Sequence, residues 1–416
     1  MSANDISNRT GLSRSASTYA SWQSGVFPAD VGMKRQIEAQ TSFLQASALQ
    51  DILRRGTPLL GTNEGCPHSS PTCDWMSRFP DDTQLVHMNF PGVHDAATGS
   101  YTDEIREDLL RYTGPIPPAN VYRCQERSLF QMLNDGIRMF DMRIAYNPGN
   151  DTIGFWHSRA LLAPTTTLND VLYGFYSWLD QHPTETVLMS FKHEGGTGTP
   201  KDEKLQRKFL DAFSRATDQD PGPLKRRYWV QSRGELGTLG EARGKLILLQ
   251  RFDYDLLNPT PPDNQLIGID LGPTKWTDNG RDIELVYNAE TGATAFIQDY
   301  YSVTPFPASP DPASKLDSYV SSKFETTIAH LERAANEHSD QLFINFASAA
   351  YLSDSDGPII HPVEYALGNS TLGVSGMNQR LLPWLQERRG RRFGVILYDF
   401  YDAVPGLIEA TIGLGA

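Results

Sequence analysis

Two histidines, an arginine and several carboxylates fall where the residue pattern breaks from strand into loop. The first pair is His94-Asp95. It follows an apolar run (Leu85, Val86, Met88, Phe90) that reads as a strand over Leu85–Phe90, broken by Pro91-Gly92, which cannot continue a ladder. Phe140-Asp141-Met142-Arg143 sets a carboxylate and a guanidinium two residues apart, so both project from one face of a strand. An interior tolerates such charges only if they are paired or functional, and a purely structural ion pair is the plainer alternative. Phe155-Trp156-His157 ends another strand pattern with a second imidazole, although a single histidine there is more often a satisfied core residue. Ser190-Phe191-Lys192-His193-Glu194 runs into Gly195-Gly196, and Gln250-Arg251, Gln298-Asp299 and Tyr398-Asp399 repeat the habit of a charge at a strand's end.

Gathered at one mouth, these side chains suit phosphoryl transfer. One imidazole takes the proton of an oxygen nucleophile and the other protonates the leaving oxygen. The guanidinium neutralises charge on the phosphorus oxygens, and an aspartate orients the base. The sequence has no Gly-rich phosphate loop, no Gly-x-Ser-x-Gly elbow and no His-Glu-x-x-His run.

The elements that must position these groups alternate from Gln84 onward as strand and helix, the order of a parallel sheet. Strand patterns cover Leu85–Phe90, Met139–Ile144, Ile153–Trp156, Thr186–Phe191, Leu246–Gln250, Ala295–Gln298, Leu342–Phe346 and Val395–Tyr398. Leu168, Val171, Leu172, Phe175 and Leu179 share one helix face, with Thr167 and Asp170 as a capping-box variant and His182-Pro183 as the stop. Asp202–Ala216, Ser314–Glu337 and Asn378–Arg388 are further helices. The expected fold is α/β, an irregular (β/α)8 TIM-like barrel over residues 81–416. Residues 1–80 form an N-terminal extension with a helix over Met33–Leu53 and a Gly/Pro/Ser/Cys-rich loop over Gly56–Thr72.

With 39% apolar and 21% charged residues, the 416-residue chain can bury a large core. No apolar stretch is long enough for a membrane-spanning helix. Met1–Gln23 is polar and lacks the hydrophobic region of a signal peptide. A formal charge of −13 argues against nucleic acid as a partner and against recruitment to anionic membranes by net charge. Lys225-Arg226-Arg227 and the arginines of Arg388–Arg392 read as solvated faces or helix ends. Cys66 and Cys73 bracket a turn and can form a local disulfide that leaves Cys124 free. Without Cys-x-x-Cys or a His-rich partner segment, no zinc site is expected. Cysteine usage and the sequons at Asn8, Asn150 and Asn369 leave the compartment open, cytoplasmic or secreted.

Four stretches resemble the bacterial-type phosphatidylinositol-specific phospholipase C family and its X-type catalytic domain. They are Pro91-Gly92-Val93-His94-Asp95, the run from Gly136 to Arg143, Trp156-His157-Ser158, and the run from His182 to Lys192. Arg243 to Arg251 is similar as well. The resemblance covers residues 84–400, strongest before residue 195. It implies His94 as general base, His157 as general acid, and Arg143 beside Asp141 in the place of a metal. Asp95 supports the acid side and Asp399 holds His94. Lys192, Arg251, Asp299 and Tyr301 are implied as headgroup contacts, with Trp276 and Asp278 on a loop facing the ring. The implied reaction gives diacylglycerol and an inositol 1,2-cyclic phosphate, with no metal and no cofactor, by a monomer touching a membrane peripherally. Trp276, Tyr300-Tyr301 and Phe400-Tyr401 are candidate aromatic anchors at the mouth. Two other readings stand beside it: the same barrel acting on a different phosphodiester headgroup, and a catalytically silent lipid-binding barrel.

Overall fold

The computed structural model describes residues 28–67, 70–217, 224–304, 311–351 and 360–414. The polar segment Met1–Gln23 and the sequon at Asn8 lie outside the described residues. Two units are distinguished, Met1–Gln50 and Asp51–Ala416. A helix spans Pro28–Leu60, longer at both ends than its sequence pattern. Within the second unit, Leu59, Leu60, Trp75 and Met76 are buried in the main core, so residues 51–80 are built into the same unit as the barrel. Cys66 and Cys73 are joined as a disulfide, and Cys124 is free and buried.

The strands in chain order are β1 Phe90–Val93, β2 Met139–Tyr146, β3 Ile153–His157, β4 Ala160–Leu161, β5 Val187–His193, β6 Leu246–Arg251, β7 Ile269–Asp270, β8 Ile283–Asn288, β9 Ala293–Gln298, β10 Leu342–Phe346, β11 Gly368–Asn369, β12 Val374–Ser375 and β13 Val395–Tyr398. Nine of them make a nearly closed barrel in the order β7-β6-β5-β2-β1-β13-β10-β9-β8. Every neighbour pair is parallel except β8 and β9. No ladder joins β7 to β8 among the described residues. There the Asn288 side chain donates instead to the Gly234 carbonyl at 3.2 Å.

Two strand expectations are corrected. Leu85–His87 is a 3-10 turn, and the first strand begins at Phe90, running through the Pro91-Gly92 expected to end it. Pro91 lacks an N–H, but its carbonyl accepts from Arg138 at 2.9 Å, so the ladder is kept on the acceptor side. Gly92 is needed because a Cβ there would sit 2.9 Å from the Met139 Cβ on β2. The second correction is β3, which pairs antiparallel with β2 and continues to β4, outside the barrel path. A turn over Asn147–Thr152 makes β2 and β3 a hairpin, so His157 arrives from a ribbon folded over the barrel end.

The helix Leu168–Gln181 has the expected reciprocal capping box of Thr167 and Asp170 and ends at His182. It packs on the barrel's outer face, where Phe140 meets Phe175 edge to face at 5.0 Å. That contact fixes the alternation of β2: Phe140 faces the helices, and Asp141 and Arg143 face the interior. Helices Glu203–Phe213, Pro312–Asn336 and Met377–Glu387 match their sequence patterns to within a few residues. No helix among the described residues is long and apolar enough to cross a membrane.

Candidate active site

Strand register sets the centre of the site. Arg143 on β2 pairs with Lys192 on β5, which pairs with Arg251 on β6, so three cations lie level across three adjacent parallel strands. Side chains level in a parallel sheet share a face, and here that face is the barrel mouth. Carboxylates from other strand ends answer them. Asp95 Oδ1 lies 2.5 Å from Arg143 Nε, and Asp141 contacts Arg143 at 3.5 Å and Arg251 at 3.1 Å. Glu194 lies 3.3 Å from Lys192 and 3.8 Å from Arg143. Its carboxyl is pushed up by burial, but Arg143, Lys192 and His157 outweigh that and hold it at about 2.

The two imidazoles flank Asp95. Its Oδ2 is 3.2 Å from His94 Nε2 and 3.2 Å from His157 Nε2, and the ring centroids are 6.3 Å apart. His94 Nδ1 meets Asp399 Oδ1 at 2.9 Å, while its Nε2 faces an Arg143 N–H at 2.7 Å. An ionised Asp399 accepts from an Nδ1–H, which leaves the Nε2 lone pair toward the cavity. His157 Nδ1 donates to the Tyr122 carbonyl at 2.7 Å, which turns its Nε2 inward as well. Burial and then Arg143 lower both imidazoles, His94 well below the usual range and His157 to about 4. Burial raises Asp95 and Asp399. The empty mouth therefore favours two neutral imidazoles, and an entering phosphodiester anion favours a proton on one of them.

Around this centre lies a cavity of about 630 Å³. Its wall includes Lys192, Arg251, Trp276, Asp278, Asp299 and Tyr301, so the sequence-expected headgroup residues do converge on it. The Arg251 guanidinium lies 3.8 Å from the Trp276 ring centroid, a cation–π contact, and Trp276 Nε1 donates to Asp299 at 2.8 Å. Tyr301 donates to the Asp278 carboxylate at 3.1 Å.

The aromatic anchors are corrected. Trp276 is a wall of the pocket, and Tyr300, Phe400 and Tyr401 are buried, with the Tyr401 hydroxyl on Asp135 at 2.7 Å. Of the five, only Tyr301 is exposed, at 39%. Other residues that shape the site carry little sequence signal. Gln125 donates to the carbonyls of His94 at 2.7 Å and Tyr398 at 2.9 Å, fixing the turn that presents His94. Tyr122 offers its backbone carbonyl to His157 and sets its ring edge-on to that imidazole at 5.7 Å. Glu194 has a visible trace in the Lys192-His193-Glu194 triplet, and its Oε1 accepts the Ser158 N–H at 2.7 Å, tying β5 to the turn after His157.

Fold and mouth together define a class: a TIM-like barrel whose mouth holds two imidazoles on either side of an aspartate paired with an arginine. No family model matches the chain. It is similar to the 1-phosphatidylinositol phosphodiesterase of Listeria monocytogenes, 24% identical over 341 residues, spanning 81% of this chain and 84% of that protein. A Staphylococcus aureus phosphatidylinositol-specific phospholipase C structure superposes with a TM-score of 0.58 at 21% identity, covering 83% of this chain and 99% of that one. The Listeria monocytogenes phosphatidylinositol-specific phospholipase C gives 0.51 at 23% identity over 82% and 98%. These likenesses establish the barrel fold expected from the sequence, and the relatives bear the name that its motifs resemble.

Proposed function

We propose that this chain cleaves phosphatidylinositol by intramolecular phosphoryl transfer. The observation that carries the proposal is Asp95 bridging two inward-facing imidazoles 3.2 Å on either side, with Arg143 on its other oxygen. The relatives named for that activity supply the headgroup.

His94 Nε2 takes the proton of the inositol 2-hydroxyl as that oxygen attacks phosphorus. Arg143 lies against the non-bridging oxygens, where charge builds in the transition state. The bond from phosphorus to the glycerol oxygen breaks, and His157, protonated once the anion is bound, gives its Nε2 proton to that oxygen. Diacylglycerol and inositol 1,2-cyclic phosphate result. His94 then holds one proton more and His157 one fewer, and exchange with water resets both. Lys192, Arg251, Asp299 and Tyr301 hold the inositol ring. The protein acts as a monomer that contacts the membrane peripherally.

Phosphorus NMR of the chain mixed with phosphatidylinositol vesicles tests the reading. A water-soluble five-membered cyclic phosphate is the expected first product. A linear inositol phosphate with no cyclic precursor, or no soluble phosphorus at all, contradicts it.

A further inference from the structure

At the N-terminal ends of β2 and β5, opposite the catalytic mouth, four metal-ligating groups meet. Cys66, Cys73, Asp74 and His182 place one ligand atom each within 4.8 Å of one another. His182 Nδ1 is 2.7 Å from Asp74 Oδ1 and 3.8 Å from Cys66 Sγ, and Cys66 Sγ is 3.9 Å from Asp74 Oδ2. In a tetrahedral zinc site, thiolate, imidazole and carboxylate ligands at their usual bond lengths lie roughly 3.3–3.8 Å apart. The sulfur contacts of His182 and Asp74 already stand near that spacing; the two sulfurs must separate and the 2.7 Å imidazole–carboxylate pair must open by about half an ångström.

In the oxidised state His182 and Asp74 bond to each other at 2.7 Å, and the sulfurs beside them contribute no donor. A disulfide sulfur has no proton to give, so neither the carboxylate nor the imidazole gains a hydrogen bond from Cys66. The imidazole is nevertheless held in place. Its ring stacks on Trp178 at 4.1 Å, and its backbone N–H is bonded to the Trp178 and Leu179 carbonyls at the helix end. The buried Arg138, 4.7 Å from the Trp178 ring, donates to the Cys73 carbonyl and to Glu185. Its charge is offset by Glu185 at 2.8 Å, so Arg138 braces the Cys73 backbone without placing an unpaired cation beside the cluster. Asp74 is about half exposed at 49%, which gives an ion a route in. A ligand orientation fixed by surrounding contacts is what raises metal affinity.

We propose that Cys66, Cys73, Asp74 and His182 form a redox-gated site for a zinc-class divalent cation. A dithiol reductant breaks the S–S bond: two electrons and two hydrogens pass to the cysteine sulfurs, and the dithiol closes to its own disulfide. Ion entry displaces the two thiol protons, and both sulfurs bind as thiolates beside His182 Nδ1 and the Asp74 carboxylate. The loop is then closed on itself by the Cys66–Cys73 disulfide when oxidised, and tied to the helix–β5 turn through His182 by the metal when reduced. Sequence spacing hides the site because His182 arrives from 108 residues beyond Asp74.

The full chain tests this, reduced with a water-soluble phosphine that becomes its oxide, taking oxygen from water and passing the two protons to the sulfurs. Cobalt(II) should then give the intense visible bands of a tetrahedral thiolate site, and a single equivalent of zinc should bleach them. The oxidised chain should give neither signal. His182→Ala and Asp74→Asn should each weaken zinc binding by about tenfold or more. Asp74→Asn alters a half-exposed carboxylate far from the mouth, and circular dichroism checks its fold. A reduced chain showing only hydrated cobalt overturns the proposal. So does zinc bound equally well by a folded Asp74→Asn chain and by the unaltered one, since the thiols would then bind it without the rest of the cluster.

Discussion

His94 and Asp399 stand on adjacent parallel strand ends, in register through Val93 and Tyr398, with Nδ1 and Oδ1 2.9 Å apart. The carboxylate selects the tautomer whose Nε2 can accept a proton. Asp399→Asn keeps the size but offers an amide that can donate to Nδ1 and favour the other tautomer. Turnover of phosphatidylinositol should fall by about 10²–10⁴-fold with little change in KM. Steady-state kinetics on a soluble inositol phosphodiester check this, and near-normal turnover would remove Asp399 from the base's support.

The imidazoles must start the reaction in opposite states, His94 neutral and His157 charged. The kcat profile should therefore be a bell, rising as His94 loses its proton and falling as bound His157 loses its own. His94→Ala should abolish the acid limb and His157→Ala the alkaline limb, each with a loss of about 10²-fold or more. A variant that keeps both limbs would acquit its imidazole of the role.

Stability should carry the same signature. Burial lowers His157 to about 4 from an unfolded value near 6.5. The unfolded chain thus takes up this proton first as pH falls. The stabilisation is whole above about pH 6.5 and is lost on descending to about pH 4, by up to about 3 kcal/mol. Asp95 and Asp399, raised by burial, contribute with the opposite sign, so the comparison must be with a variant. His157→Gln should lose less stability than the parent across that window in urea unfolding. Parallel curves would mean that His157 is as easily protonated folded as unfolded.

What the sequence discloses and what it hides divide along physical lines. The helix Leu168–Gln181 was fully legible, because periodicity, capping box and proline stop are local properties. The interior pair Asp141 and Arg143 was legible too, since period-two alternation states which residues share a face. The first strand lies later than its pattern because Pro91-Gly92 reads locally as a break, while the partners that make it a strand, β13 and the Arg138 N–H, are remote. The antiparallel pairing of β3 had no cue in its composition. The pocket role of Trp276 is hidden in the sequence because its partners, Arg251 and Asp299, come from the ends of other strands. The Tyr122 carbonyl acts through backbone geometry, which leaves no mark in residue type, and the Gln125 side-chain amide reaches carbonyls of segments remote in sequence.

Trp276 is accordingly predicted to act in the pocket. Its ring covers Arg251 and its indole N–H holds Asp299, so Trp276→Ala frees two groups that line the cavity. Activity should drop by a similar factor, about tenfold, on vesicles and on a soluble inositol phosphodiester, a loss consistent with one cation–π contact and one charge-assisted hydrogen bond. Tyr301→Ala, at the exposed rim, should cost more on vesicles. A Trp276→Ala loss confined to vesicles would restore the anchor role and remove the pocket role.

Arg143 supports the last prediction, that turnover needs no divalent ion. A phosphoryl transition state needs positive charge at its equatorial oxygens, from a metal or from a fixed guanidinium. Asp95, Asp141 and Glu194 all face Arg143 at 3.8 Å or less, and these carboxylates raise its pKa against the opposing effect of burial. The carboxylates that a calcium or magnesium ion would take as ligands are thus already committed to a permanent cation, which would repel a second one. Turnover by the oxidised chain should survive excess EDTA and gain nothing from calcium. Arg143→Lys should lose about 10²-fold or more, since a point ammonium cannot meet Asp95 and the phosphoryl oxygens with one planar fork. The idea is falsified if chelation stops turnover and calcium restores it, or if the lysine variant works as well as the parent.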